Sequence, residues 1–135
     1  MAFIHGKDTF VSLDGNDLSA YTTSSEISRT ADSHDVTTYG QTAHVYEGGL
    51  LDGTGKMEGV YNSTAGTGPR AVINPLIGTS VTWIRRPEGT GAGLPQDSVT
   101  VLVTGYTETN PVADMVTWAA DLQLSGAVDS TAQAA

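Results

Sequence analysis

The first candidates for chemistry are a Ser-His-Asp run and three histidines. Ser33, His34 and Asp35 place the residue types of a hydrolase triad side by side. A working triad is assembled across a fold, and three chain neighbours cannot usually adopt the nucleophile–base–orienter geometry. The histidines His5, His34 and His44 lack the spacing of a metal site, and the chain has no cysteine to complete one. These residues therefore predict neither a hydrolase nor a zinc site.

Three further short patterns favour ordinary structural roles. Residues 14–17 (DGND) offer oxygen ligands but lack the spacing and terminal Glu of a calcium loop, which favours a turn. The G-x-G-x-G run over 89–93 is followed by a proline and a strand, whereas a phosphate loop needs a helix, so we expect a flexible linker. Arg85 and Arg86 beside Trp83 could stack a base, but an ion pair between subunits fits the acidic surplus better. We find no enzyme signature and predict no cofactor.

Composition restricts the function further. The chain has 135 residues, which suits one domain over 1–135. Its net charge is −9, from 15 acidic and 6 basic residues. This charge argues against nucleic-acid binding, because such binding depends on Lys and Arg side chains that neutralise phosphates. The sequence contains no cysteine, no apolar run near the length of a membrane span and no apolar signal-peptide core. We expect a protein that is made in the cytoplasm.

The last third of the chain carries the clearest pattern. In the first run the apolar Val99, Val101 and Val103 alternate with the polar Ser98, Thr100 and Thr104. In the second run one face holds Val116, Trp118, Ala120, Leu122 and Leu124, and the other holds Thr117, Asp121, Gln123 and Ser125. This period of two predicts two half-buried strands, and the connector containing Pro111 makes them a long antiparallel hairpin. Its apolar face needs cover from the rest of the chain.

The remaining pattern predicts a mostly β fold, an antiparallel β-sandwich or barrel of six to seven strands with one short flanking helix over 69–77. Residues 30–49 have no regular period, which predicts a long ordered loop that packs on a partner. We expect an N-terminal arm over 1–7 and a flexible tail over 127–135. The predicted core residues are Ile27, Val81, Trp83, Val99, Val101, Val103, Val116, Trp118, Leu122 and Leu124.

Several segments together resemble one known family. The stretch DVTTYG over 35–40, the run GLLDG over 49–53 and GVYN over 59–62 are similar in pattern to the major tail tube proteins of long-tailed, non-contractile bacteriophages. The ending, with GY at 105–106, VTW at 116–118 and LQLSG at 122–126, is similar as well. The resemblance covers about residues 13–126 and depends on the spacing of these segments.

The resemblance implies a structural virion protein. It implies stacked hexameric rings that form a tail tube, made in the host bacterial cytoplasm, through which DNA passes without specific binding. The partners would be further copies of the chain and other tail proteins at the tube ends. The loop over 30–49 would reach a neighbouring subunit or ring through Asp32, His34, Val36, Tyr39, His44, Val45 and Tyr46.

A DNA-facing wall should be small, polar and acidic, because such a wall repels phosphates. The polar face of the last hairpin meets this description, and we expect it to line the channel. The opposite placement, with this face toward outside solvent, stays open. The candidate lumen residues are Thr100, Thr104, Thr117, Asp121, Gln123 and Ser125.

Two other functions fit the same features. A phage capsid decoration protein would be a similar β domain that binds a shell lattice and forms no tube. A carbohydrate-binding or adhesion module could use Trp83 and Trp118 as a sugar platform, although Trp118 is in phase with the apolar face of its strand, which favours a core position.

Overall fold

The fold is mostly β, as the sequence predicts. The computed structural model describes residue 4, residues 6–63, residue 66 and residues 68–133. The described part of the chain contains one α-helix, seven strands and three short 3-10 turns (Gly6–Asp8, Ser19–Tyr21 and Asn74–Leu76). The longer elements, in chain order, are β1 (Phe10–Leu13), β2 (Asn16–Asp17), β3 (Ser24–Asp35), β4 (Tyr46–Val60), α1 (Pro69–Ile73), β5 (Ser80–Arg86), β6 (Asp97–Thr109) and β7 (Thr117–Leu124).

The seven strands form one antiparallel sheet in the order β2-β1-β5-β6-β7-β4-β3. The hairpin predicted from the last third of the chain is confirmed as β6 and β7, paired from Val101↔Leu124 to Thr109↔Thr117. On the other side of this hairpin, β7 pairs with β4, which comes much earlier in the chain. The hairpin therefore occupies the middle of the sheet, and the first and last strands of the order are its edges.

The sheet curls around a single core. Two strands, β6 and β7, separate β5 from β4 in the strand order. Nevertheless, a Cβ added to Gly55 of β4 would lie 2.6 Å from Cζ3 of Trp83 on β5. The two strands meet across the interior, which makes the curled sheet barrel-like. Glycine at position 55 leaves the space that the indole ring occupies.

Burial follows the predicted alternation closely. Seven of the ten predicted core residues are buried, and Ile27, Val81 and Val116 are half-buried. Further buried residues come from other elements and complete the core: Val11, Leu13, Leu18, Met57, Val72, Ile73 and Ala120.

A bulge changes the phase of β6 halfway along the strand. The pairing with β7 shifts between Val103 and Gly105, so Thr104 is the extra residue. As a result, Tyr106 lies on the core side and stacks on Trp118, with 6.3 Å between ring centroids. The bulge thus lets one strand supply valines at one end of the core and an aromatic ring at the other.

The predicted short helix is present. Pro69 occupies the first turn, where its missing N–H costs nothing, and Val72 and Ile73 face the core. Pro75 follows in a 3-10 turn, and Gly78, with φ +84°, ends the segment before β5.

The described part of the C-terminal tail, which we predicted to be flexible over 127–135, is hydrogen-bonded to the fold. Ser98 and Asp129 exchange two backbone hydrogen bonds of 2.8 Å. The side chain of Gln133 accepts from the N–H of Gly91 and donates to the carbonyl of Gly89. The same bonds hold the glycine loop that we expected to be a flexible linker.

Parts of two sequence predictions lie outside the described residues. Residues 1–3 and 5 of the predicted N-terminal arm, and residues 134–135 of the tail, belong to this group. Gly6 and Lys7, the last two residues of the predicted arm, belong to the 3-10 turn Gly6–Asp8.

Candidate assembly surfaces

The most prominent surface feature is a two-stranded extension of β3 and β4. Pairing between β4 and β7 begins at Thr54↔Gln123, whereas β3 and β4 remain paired with each other through Ala31↔Leu51 to Asp35↔Tyr46. Residues 30–51, which we call the projecting hairpin, therefore continue beyond the sheet. At about 3.3 Å per residue, its β4 strand extends roughly 26 Å past the last β4–β7 pair.

The structure corrects the prediction of an irregular loop over 30–49. Residues 30–35 and 46–49 are strands, and only residues 36–45 connect them without regular structure. Sequence alternation arises because one face of a strand is buried. Neither face of the projecting hairpin is buried within the chain, so its sequence carries no such alternation.

All seven residues that we expected to contact a neighbour are exposed on this hairpin. Tyr39 at its tip is fully exposed, and Tyr46 at the start of β4 is 59% exposed. The sequence analysis missed Leu50 and Leu51, which are 81% and 75% exposed. The pair of adjacent leucines was the signal in the sequence for an exposed apolar residue. Neighbouring side chains on a strand point to opposite faces, so at least one of the two leucines must lie on the polar, solvent-facing side. Exposed apolar side chains in this number suit a surface that a partner covers.

A small hydrogen-bond network joins the two ends of the connector in the projecting hairpin. The N–H and Oγ1 of Thr37 both donate to Oδ1 of Asp35, at 3.0 and 2.6 Å. Oγ1 of Thr37 accepts from the N–H of Val45 at 2.8 Å, and Nδ1 of His44 lies 3.2 Å from Oδ2 of Asp35. The hairpin is therefore held together up to the base of its connector within a single chain.

This network gives the tip a predicted pH dependence. The hydrogen bonds that Thr37 donates, and to a smaller extent the contact with His44, lower the pKa of Asp35 below the usual aspartate value of 3.8. A lowered folded-state pKa means that the carboxylate stabilises the tip above pH 3.8 and that this contribution is lost as pH falls through the lower folded value. Hydrogen exchange at the Thr37 amide, followed by NMR, should rise over this acidic range before the core unfolds. Exchange that is independent of pH, after correction for its intrinsic rate, would contradict the prediction.

The outer face of the sheet is polar and carries charges in rows across the strands. Glu26, Lys56 and Asp121 are consecutive cross-strand partners on β3, β4 and β7. Glu58 and Asp52 lie on the same face of β4. These five residues comprise four acidic groups and one basic group, which gives this part of the face a negative field.

The candidate lumen residues belong to this outer face. Asp121 is exposed, and its backbone carbonyl accepts a 3.0 Å hydrogen bond from Oγ1 of Thr104 at the bulge. Gln123 is half-buried because its amide donates to Oδ1 of Asp52 and to the carbonyl of Gly53. The other candidates, Thr100, Thr117 and Ser125, are exposed.

The structure does not bring the side chains of the Ser33-His34-Asp35 run together. Ser33, His34 and Asp35 lie on β3, where neighbouring side chains alternate between faces. The described residues contain no group of three His, Cys, Asp or Glu side chains that could hold a metal ion. Both tryptophans are buried. Neither tryptophan can therefore present a flat ring to a sugar.

Arg85 and Arg86 both have partners within the chain. Nη1 of Arg85 lies 3.4 Å from Oδ2 of Asp97 on the adjacent strand. The guanidinium of Arg86 lies over the ring of Phe10, 4.6 Å from its centroid, and Nε donates to Gln96. Both arginines thus pair with neighbours in the same chain, and the ion pair between subunits stays a prediction.

Comparison with known proteins agrees with this architecture. No protein-family model and no curated protein sequence matches the chain. Among solved structures, a chain of the gene transfer agent tail, determined from an empty particle with C6 symmetry, superposes with a TM-score of 0.77 at 19% identity, over 96% of this chain and 100% of that one. A chain of the SPP1 tail tube gives 0.78 at 12% identity, over 98% and 81%.

A third solved structure extends the comparison to a different machine. A chain of the sheath-tube complex of an extracellular contractile injection system gives a TM-score of 0.68 at 14% identity, over 97% of this chain and 93% of that one. No helix among the described residues is long and apolar enough to cross a membrane.

The comparisons with solved structures confirm the resemblance found in the sequence at the level of the fold. The chain has the fold found in the SPP1 tail tube and in the gene transfer agent tail.

Proposed function

We propose that this protein is a structural virion protein of a bacteriophage, the subunit of stacked hexameric rings that form the tail tube. The observation that carries the proposal is the projecting hairpin on this fold. Residues 30–51 continue well beyond the sheet, are bonded together at the base of their connector and expose apolar side chains. An isolated two-stranded hairpin is marginal in water, so a partner surface is needed to explain this extension.

The edges of the sheet support assembly with identical copies. Within the described part of the chain, β3 pairs only with β4, and its other edge is unpaired over up to twelve residues. Long unpaired edges invite association, and closed rings of identical subunits cover them. We infer that this edge takes part in contacts within a ring, while the projecting hairpin takes part in contacts between rings.

The charge of the outer face supports a channel for DNA. Four acids and one base on β3, β4 and β7 repel phosphates, so DNA would pass without being held. Under this proposal, Asp121 and its neighbours line the lumen, the role is non-enzymatic, and the protein resides in the virion tail after synthesis in the host cytoplasm. Other tail proteins would cover the two ends of the tube.

Negative-stain electron microscopy of the purified protein over a concentration series tests the proposal. We expect tubes with a central channel and a regular axial repeat above a threshold concentration. Particles that remain monodisperse at every concentration, and that instead bind phage capsids, would favour a capsid decoration protein and overturn the tail-tube proposal.

The lumen assignment makes a separate prediction for Asp121→Lys. A ring of lysines would attract the phosphates of passing DNA, so release of DNA from particles built with this variant should be several-fold slower. The effect should weaken at higher salt, since exposed charges are screened within about 8–10 Å at physiological ionic strength. Asp8→Lys makes the same charge change outside the strands and serves as the control. Equal release rates for both variants would contradict the placement of Asp121 in the channel.

A further inference from the structure

The domain has two ends that differ in shape. β7 starts at Thr117 beside the connector between β6 and β7, residues 110–116, and ends at Leu124 beside the base of the projecting hairpin. Seven steps of about 3.3 Å along β7 separate the two ends by roughly 23 Å. A feature at one end can therefore meet a feature at the other end only in a second copy.

At the Leu124 end lies an apolar pocket with a volume of about 290 Å³. Its apolar lining comes from Ala31 and Leu51 of the projecting hairpin, from Leu124 and from Val128 in the tail. The volume is just below the range of roughly 300–1,000 Å³ usual for small-molecule sites and suits one or two aliphatic side chains. Charged residues of both signs also line the pocket, namely Asp52 and Arg29. The guanidinium of Arg29 is about half exposed and lies 4.0 Å from Oδ1 of Asp97.

At the opposite end, the connector presents apolar side chains to solvent. Val112 is fully exposed and Met115 is 65% exposed. The connector is anchored at its end, because the carbonyl of Val116 accepts a 2.8 Å hydrogen bond from the N–H of Tyr61. Asp114 lies between the two apolar residues and is exposed. The connector therefore offers an apolar tip that matches an apolar pocket, beside an acidic group that can approach Arg29 at the rim of that pocket.

We propose that Val112 and Met115 of one copy insert into the pocket lined by Leu51, Leu124 and Val128 of the next copy. Asp114 then lies near Arg29 of that copy. This inference rests on the proposed function, because it requires copies that stack in one orientation. A contact between opposite ends of one chain repeats without closing on itself, which produces an open stack of unlimited length. The connector contact would act beside that of the projecting hairpin.

Engineered cysteines test the contact directly, because the chain contains none of its own. In the variant Val112→Cys with Leu51→Cys, tubes under oxidising conditions should yield disulfide-linked ladders, whereas either single variant should yield none. The control pair is Val112→Cys with Gln41→Cys, whose second site lies at the far tip of the projecting hairpin. Tubes that form normally without a ladder in the test pair, or with equal ladders in the control pair, would overturn the inference.

A second variant keeps the inference testable if the cysteine pair assembles poorly. Val112→Asp should raise the protein concentration needed for tube assembly at least tenfold, while monomer melting stays unchanged because residue 112 is fully exposed. Asn110→Asp adds a charge to the same connector and should assemble as the unmodified chain does. If Val112→Asp assembled as the unmodified chain does, this inference would be overturned and the proposed function would not be affected. Failure of the unmodified chain to form tubes would instead contradict the proposed function.

Discussion

Removal of the projecting hairpin should abolish tube assembly and leave a folded monomer. Residues 32–50 can be replaced by Asn-Gly between Ala31 and Leu51, which are paired in the present register. Asn-Gly is the preferred sequence for a two-residue hairpin turn. The core lies outside the deleted segment, so monomer stability should change by no more than about 1 kcal/mol, the usual range for surface changes. Assembly should be lost because the exposed apolar surface of the hairpin is gone.

Circular dichroism and thermal melting report the fold, and sedimentation with electron microscopy reports assembly. Gln41→Ala at the exposed tip provides a control that keeps the hairpin and should form tubes normally. Tubes of ordinary length and stability from the deletion variant would remove the projecting hairpin from the assembly mechanism. A deletion variant that no longer folds would contradict our conclusion that these residues contribute nothing to the core.

The largest stability effect is expected for Gly55→Val. An added Cβ would lie 2.6 Å from Cζ3 and 2.9 Å from Cη2 of Trp83, whose ring is buried and cannot move without displacing the core. Overpacking of this kind typically costs about 1–3 kcal/mol, and we expect the upper half of that range. The free energy of unfolding from urea denaturation of the monomer measures the loss.

Gly48→Val is a matched control on the same strand. Nothing lies within 4 Å of a Cβ at residue 48, so valine there should be neutral or slightly stabilising, in line with its strand propensity. If Gly55→Val were as stable as the control, Trp83 would not pack across the interior against β4, and the curled sheet described above would be wrong.

The sequence predicted the elements whose one face is buried. In β6 and β7 the alternation of valine, tryptophan and leucine with polar residues follows directly from burial on one side. The same physics explains the failure at residues 30–49, because strands exposed on both faces have no reason to alternate. The exposed residues of this segment were still singled out, since tyrosine and valine in a polar segment are typical of a surface that a partner can cover. Their contact with a partner stays a prediction.

Long-range contacts were beyond what the sequence could predict. The pairing of β4 with β7 joins residues more than fifty positions apart, and no local pattern reports it. The same holds for Gln133, whose side chain is hydrogen-bonded to Gly91 and Gly89 in the glycine loop. These bonds attach the tail to the fold, although the small, polar residues of the tail are typical of a frayed chain end. The ion pair between Arg85 and Asp97 likewise depends on the pairing of β5 with β6. These contacts depend on the topology of the sheet, which a single sequence does not state.

The most direct test of the central claim is a helical reconstruction, by electron cryomicroscopy, of assemblies grown from the purified protein. Our account predicts a hollow tube of stacked rings, with Asp121 and the polar face of β7 on the channel wall and residues 30–51 against the next ring. A solid filament, or a tube with Asp121 on its outer surface, would contradict the account.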